Sequence, residues 1–385
     1  MSLPAVGLLC LVIAPQDSAT APQSLPAWIE TLDRLKFYGD FRLRAENDFE
    51  LDDQRSRDRR RIRLRFGVNY DMSDEVLFGA RLVTGDKDDP NSTHVTLGSG
   101  FDDVEINLDR AFMTYRPHWV ADSYVTAGKF SNPFYRNPVY AELAWDLDIQ
   151  PEGAIAGHTS YDVAGLRELM VTVGAYDLQE ERNASDANML VGELRGGIAL
   201  GSTATGTPAT SYTHYGDVTP GGSTTLVAEN QGNAVIDTSG DGVPDEFVSD
   251  FGIWHTVLGV NYSGASAPLA FGAEYIKNTR AEIDQDQGWA LGCAWGSTAK
   301  QGEWRVYYQW QVVEQDAVFS SLAQDDFLFS TNHRSHLFGV NYQLTDDIGL
   351  HLWGLVSARD QTFNTPTTDS DDDQWRVRLD LNVKL

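Results

Sequence analysis

The sequence predicts an all-β fold: a single antiparallel transmembrane β-barrel of about sixteen strands, with long loops at one end and short turns at the other. Three observations carry this. The chain ends on an unbroken alternation from Trp375 to Leu385, in which every odd position is apolar and every even one polar; period 2 is a strand with one apolar and one wet face. The connections between such strands alternate between long polar stretches and short turns, a parity that a soluble sandwich has no reason to keep. Finally, the 385 residues are 42% hydrophobic and 11% aromatic, yet hold no run near the ~18 apolar residues of a membrane helix. A mean hydropathy of −0.33 is compatible with alternating strands that cross a membrane.

At the N-terminus, Leu3 to Pro15 is a short apolar run followed by Ser18-Ala19-Thr20-Ala21, the form of an export signal with a small-residue cleavage site. Residues 1–21 are predicted to be a signal peptide, the alternative being a buried N-terminal strand. Residues 22–34 are predicted to be a short periplasmic segment, either a helix docking Trp28, Ile29 and Leu32 near the rim or a linker. The barrel takes residues 35–385. Alternation, broken at turn signals, places its strands at 35–46, 59–71, 75–85, 103–116, 121–130, 149–161, 166–178, 188–200, 206–216, 250–262, 268–279, 287–297, 302–315, 333–344, 347–360 and 374–385. Long polar stretches, such as 86–102, 131–148, 217–249 and 316–332, follow the odd-numbered strands. Short turns, such as Met72-Ser73-Asp74 and Thr345-Asp346, follow the even-numbered ones. With Cys10 inside the predicted signal, only Cys293 remains, so neither a disulfide framework nor a cysteine metal site is expected.

Gly-Val-Asn-Tyr occurs three times, at 67–70, 259–262 and 339–342, each time ending an even-numbered strand just before a short turn. Tyr70, Tyr262 and Tyr342 share parity with Val68, Val260 and Val340, so they are predicted to face lipid as an aromatic girdle at the periplasmic rim.

Several spaced motifs resemble the bacterial "putative porin" family: Gly128-Lys129-Phe130-Ser131-Asn132-Pro133-Phe134, Trp145-Asp146-Leu147-Asp148, Pro151-Glu152-Gly153-Ala154, Gly302-Glu303-Trp304 with Asp316-Ala317-Val318-Phe319, and the end Leu379-Asp380-Leu381-Asn382-Val383-Lys384. The resemblance runs over roughly residues 35 to 385. It implies an outer-membrane barrel with a passive channel role and brings no known substrate. Leu385 stands where such barrels often end in Phe.

A channel's chemistry lies on the lumen-facing parity of its strands and on any loop folded inward. Arg42 and Arg44 on the first strand, Arg59, Arg61, Arg63 and Arg65 on the second, Arg81 on the third, and Arg376 and Arg378 on the last are predicted to form one pore-lining basic wall, because closure sets the last strand beside the first. The alternative is that lumen Asp and Glu neutralise these arginines, which then only brace the barrel. In sixteen-stranded porins the loop after strand five commonly folds into the lumen. If this one does, Glu142, Asp146 and Asp148 face the wall across a constriction, and the transverse field favours small hydrophilic solutes or ions, with a lean toward anions.

Acids exceed bases by 56 − 29 = 27, giving a net charge of −27, which argues against a nucleic-acid partner and puts much of the acid in the loops. Within 217–249, Asp237, Ser239, Asp241, Val243 (by its carbonyl) and Asp245, with Gly242 sixth, match the front half of a calcium loop. Val248 stands where the bidentate Glu belongs, and an acidic surface turn is the alternative. No other cofactor is expected. No H-E-x-x-H, G-x-S-x-G or P-loop occurs, so no enzyme is expected. The expected partners are outer-membrane lipid and small hydrophilic solutes or ions, with a homotrimer by analogy alone. The rival readings are a substrate-selective channel for anionic nutrients and a plugged barrel serving as a surface adhesin or scaffold.

Overall fold

The computed structural model describes residues 32–50, 55–140, 143–182, 185–218, 224–360 and 372–385; the predicted signal peptide and most of 22–34 lie outside them. The described residues form sixteen barrel strands: β1 (Leu35–Phe49), β2 (Arg57–Asp71), β3 (Val76–Thr84), β4 (Ile106–Tyr115), β5 (Ser123–Lys129), β6 (Glu152–Val163), β7 (Leu166–Gln179), β8 (Ala187–Ala199), β9 (Ala204–Gly216), β10 (Gly252–Tyr262), β11 (Leu269–Asn278), β12 (Gln287–Gly296), β13 (Trp304–Val313), β14 (His333–Gln343), β15 (Ile348–Arg359) and β16 (Gln374–Lys384). Each pairs antiparallel with its sequence neighbour. β16 returns to β1, from Asp40↔Lys384 to Phe49↔Trp375, so the sheet closes and every strand is paired on both sides.

The long connections, 85–105, 130–151, 217–251 and 314–332 among them, share one end, and the short turns at 72–75, 164–165, 200–203 and 344–347 share the other. Loop parity in the sequence is therefore loop parity in the fold. Val95–Thr96, which pairs with β2, the Val235–Ile236 and Glu246–Phe247 pair, and the helix Thr224–Ala228 arise inside the long loops. They are too short for periodicity to announce them.

Outside, the apolar parity forms an exposed band that includes Phe37, Phe66, Phe78, Leu108, Val173, Phe271, Leu291 and Leu379, an arrangement costly in water and favourable in lipid. Tyr70, Tyr262 and Tyr342 lie at the short-turn end, in register with Leu35, Leu269 and Leu350, and Tyr342 packs on Trp304 with ring centroids 4.3 Å apart. At the long-loop end, Phe49 pairs with Trp375, Tyr212 with Trp254 and Tyr275 with Trp289.

The repeated tetrapeptide has a second role, on its glycine. A Cβ at Gly67 would enter the ring of Tyr38, one at Gly339 the ring of Tyr307, and one at Gly259 the hydroxyl of Tyr135. Each copy thus leaves a lumen-side seat for a tyrosine, the sheet device in which an aromatic ring covers a glycine.

The two flanks of the interior differ. On one, Tyr176, Met189, Val191, Tyr215, Ile253, Ile276 and Val313 turn inward and pack with Phe247, Phe251 and Phe319 from the long loops. On the other, β16, β1 and β2 turn arginines and carboxylates inward.

Candidate functional site: a charged chamber inside the barrel

Register sets arginine beside carboxylate. Across β16, β1 and β2 the lumen-facing rows read Lys384–Asp40–Arg65, Asn382–Arg42–Arg63, Asp380–Arg44–Arg61, Arg378–Glu46–Arg59 and Arg376–Asp48–Arg57. Arg44 donates from Nε and Nη2 to both oxygens of Asp380, at 2.8 and 2.9 Å. Arg376 holds Asp48 the same way at 2.6 and 3.0 Å. Arg378 Nε donates to Glu46 at 2.5 Å, and Glu46 also meets Arg59. Asp40 accepts from Arg63 at 2.8 Å and from Arg65 at 2.7 Å. Arg61 donates to Ser92 Oγ at 2.9 Å. Arg81, one strand further on, is chelated by Asp109 at 3.0 Å.

The predicted arginines therefore do lie together on one flank, but as an interleaved lattice. Glu46, Asp48 and Asp380 share their parity and are as much part of the wall as the arginines. Buried guanidiniums need paired acceptors of this kind, since each would otherwise carry an uncompensated desolvation cost.

Besides 85–105, which offers Ser92 to Arg61, two further loops face this flank. The first, 130–151, crosses the lumen. Register aligns Gly259, Gly272 and Gly292 across β10, β11 and β12, and a Cβ on these would strike Tyr135, Asn137 and Val139 respectively. The three glycines make a trench that receives every second residue of the loop. Tyr135 N donates to Glu193 at 2.9 Å, Asn137 Nδ2 to Glu274 at 2.9 Å, and Arg305 to the carbonyls of Pro138 and Val139 at 2.9 and 3.0 Å. At its other end, Asp148 stands 3.8 Å from Arg63 and 3.6 Å from Arg65 and accepts from Thr93 at 2.9 Å. Asp146 is buried and accepts from the amides of Asp148 (2.6 Å) and Asp325 (3.2 Å); it ties loop to loop. Glu142 lies outside the described residues.

The second inward loop is 314–332, which its length and polarity alone do not mark as turning into the lumen. Asp326 pairs with Arg378 and accepts from Tyr140 Oη at 2.6 Å. Arg376 donates to the carbonyls of Asp325 and Asp326 at 3.2 and 2.9 Å, and Asn91 to that of Ala323 at 2.7 Å. Deeper in, Asp316 accepts from Ala234 N at 2.9 Å and Ser249 Oγ at 2.6 Å, binding this loop to 217–251. The available signal was Asp316-Ala317-Val318-Phe319, an apolar run in a polar loop, followed by the paired acids Asp325-Asp326.

Between wall and loops lies a cavity of 240 Å³, lined by Arg42, Arg44, Arg63, Arg65 and Arg378 on the wall and by Asp148, Asp325 and Asp326 on the loops. Burial and the neighbouring Asp326 push the Asp325 carboxyl up to about 7. Burial would raise Asp326 too, but the guanidiniums of Arg378 and Arg44 hold it well below the usual carboxylate range. One acid of the pair thus stays ionised while the other titrates near neutrality.

The calcium-like segment sits apart. Asp237 accepts from the amides of Gly240 and Gly242 at 2.6 and 2.7 Å, Asp241 from Val243 N at 2.9 Å, and Asp245 from the amides of Thr238 and Ser239 at 2.8 and 3.0 Å. Ser239 Oγ donates to Asp237 at 3.1 Å. Among the described residues no three His, Cys, Asp or Glu side chains converge as a metal cage.

Residues 50–240 match a protein-family model described as "Putative porin". Over this stretch the chain is similar to that family. The fold is shared with solved barrels at low identity. OprB of Pseudomonas putida, in its high-pH structure, is 10% identical over 93% of this chain and 96% of its own, with a TM-score of 0.62. OmpF of Salmonella typhi, in complex with daunomycin, is 11% identical over 91% and 97%, with a TM-score of 0.54. OmpT of Vibrio cholerae, an outer membrane protein in its trimer form, is 12% identical over 91% and 99%, with a TM-score of 0.52. No curated protein matches the sequence. The chain is thus a β-barrel of the bacterial outer membrane, with the fold of these proteins and a match to a porin family.

Proposed function

We propose that this porin passes small hydrophilic solutes and ions by passive diffusion through the charged chamber, with a modest preference for anions. The carrying observation is the placement of the arginine lattice on one side of the 240 Å³ cavity and of Asp148, Asp325 and Asp326 on the other. Opposed fixed charges across a narrow section orient water, so a polar solute exchanges one set of hydrogen bonds for another while an apolar one must break them. The lean toward anions follows from Asp325, whose partial protonation near neutral pH leaves the guanidiniums in slight excess. Planar-bilayer conductance of the refolded chain under a KCl gradient tests this: open-channel steps with a reversal potential on the chloride side are expected. A folded barrel that conducts nothing would move the function to its outer loops, as adhesin or scaffold. Saturable, competable conductance would mark a substrate-selective channel.

A homotrimer is proposed with it. Outward positions on β5 and β6 carry Ala127, Ala154 and Ala156 beside Val125, a Lys129–Glu152 pair at 2.5 Å and Ser123 bonded to His158 at 2.8 Å, where other strands carry Phe or Leu. β5 has seven residues, short of the about 9–11 that span a bilayer. A low, small-residue, charged face suits protein contact better than lipid, and the mass of the detergent-extracted complex tests it. For 237–245 the calcium proposal stands on the tight turn about Asp237, and calorimetric titration without heat in the millimolar range would end it.

A further inference from the structure

The arginines of the chamber wall differ in what they leave free. Arg44, Arg63 and Arg378 keep 5%, 6% and 2% of their side chains exposed, and each is spent on a carboxylate. Arg42 and Arg65 keep 21% and 22%. Arg65 gives its Nε to Asp40 at 2.7 Å. Arg42 gives its Nε to an amide oxygen, Asn382 Oδ1, at 2.6 Å. The nearest carboxylate to Arg42, Asp380, stands 3.7 Å away and is already chelated by Arg44. Arg42 thus has a full charge and no dedicated counter-ion. Arg59, Arg61 and Arg63 each bury an unbonded Nε in the wall, whereas none of Arg42's nitrogens is both buried and unbonded. Its outer nitrogens are therefore open to the cavity that it lines.

We propose that Arg42 is the anion contact of this channel: a passing halide or small oxyanion pairs with its outer guanidinium nitrogens, while the other arginines brace the wall. Asn382 positions it, fixing the guanidinium through Nε without neutralising it. A planar guanidinium with free nitrogens also suits two-point pairing with a carboxylate or phosphate. The proposal rests on the anion-preferring reading above and names the residue responsible for it.

The test is the KCl-gradient reversal potential of the refolded chain. Arg42→Gln is expected to lower the chloride-to-potassium permeability ratio at least threefold. Arg42→Lys should retain most of that ratio, and Arg65→Gln should change it less, because Asp40 keeps Arg63. Asn382→Asp preserves the shape of the wall and supplies the missing counter-ion, so it should lower the ratio with Arg42 still in place. That variant also covers failure of Arg42→Gln to fold. A potassium-preferring wild type overturns the underlying reading. A chloride-preferring wild type whose ratio survives in folded Arg42→Gln or Asn382→Asp overturns the assignment to Arg42 alone.

Discussion

The two flanks of the barrel interior are built from the same kind of strand and do opposite work. On the flank of β8 to β12, residues on the lumen parity are apolar at the long-loop end: Met189, Val191, Ile253, Ile276 and Ala290 are buried against loop side chains. There the barrel fills itself and holds its loops by apolar burial. On the flank of β16, β1 and β2, the lumen parity is almost wholly ionic, and the loops are held by charge: Asp326 on Arg378, Asp148 near Arg63 and Arg65. Apolar contact closes space because it gains by excluding water. An ionic lattice keeps a hydrated chamber beside it, since its exposed members are best solvated. The eccentric position of the cavity follows from that difference.

Each flank can be perturbed separately. The largest effect is expected on the apolar flank. Phe319 is 1% exposed, with ring centroids 5.1 Å from both Phe251 and Tyr215, so Phe319→Ala should cost about 3–5 kcal/mol while leaving the reversal potential alone. Urea unfolding read by heat-modifiable mobility gives the first quantity, and a shifted reversal potential in that variant would show that the flanks are not separable. Next, Gly272→Ala drives a methyl into Asn137 at the floor of the trench. Overpacking of this kind costs about 1–3 kcal/mol, and the displaced loop should change single-channel conductance; an unaltered conductance would mean that 130–151 does not set the constriction. On the charged flank, replacing Arg61, Arg63 and Arg65 together by Ala should move the reversal potential toward potassium by less than Arg42→Gln does, and a larger shift would spread the anion contact over the whole wall. The smallest effect is in pH. Between pH 8 and 6 the Asp325 carboxyl, pushed up to about 7 by burial and by Asp326, takes up its proton and the chamber loses a negative charge. The reversal potential should drift toward chloride over that window, and a flat profile would remove Asp325 from the permeation path.

Much of the barrel was legible in the sequence, because a strand with lipid on one side and water on the other must alternate. Trp375 to Lys384 and Arg59 to Tyr70 do so, and both are strands paired to β1. Where loops pack on the inner face, as at Met189 and Val191 beside Leu190, both parities are apolar and the alternation blurs. The arginine flank could be assembled from parity and closure, since both are one-dimensional facts once the chain is known to close. The pairing within it could not: Glu46 and Asp380 gain meaning only through the register that sets them against Arg378 and Arg44.

By itself, then, the sequence determined the strand number, the parity of the loops and, where the alternation is clean, the face a side chain takes, because all three are periodic properties of an extended chain between two solvents. Only the tertiary structure decided that 314–332 joins 130–151 in the lumen, that three glycines align into a trench, and that Arg42 gives its Nε to an amide where Arg44, Arg63 and Arg65 are held by carboxylates. Those outcomes depend on which residues meet across hundreds of positions, and contact at that range is fixed by register and packing, which no local pattern records.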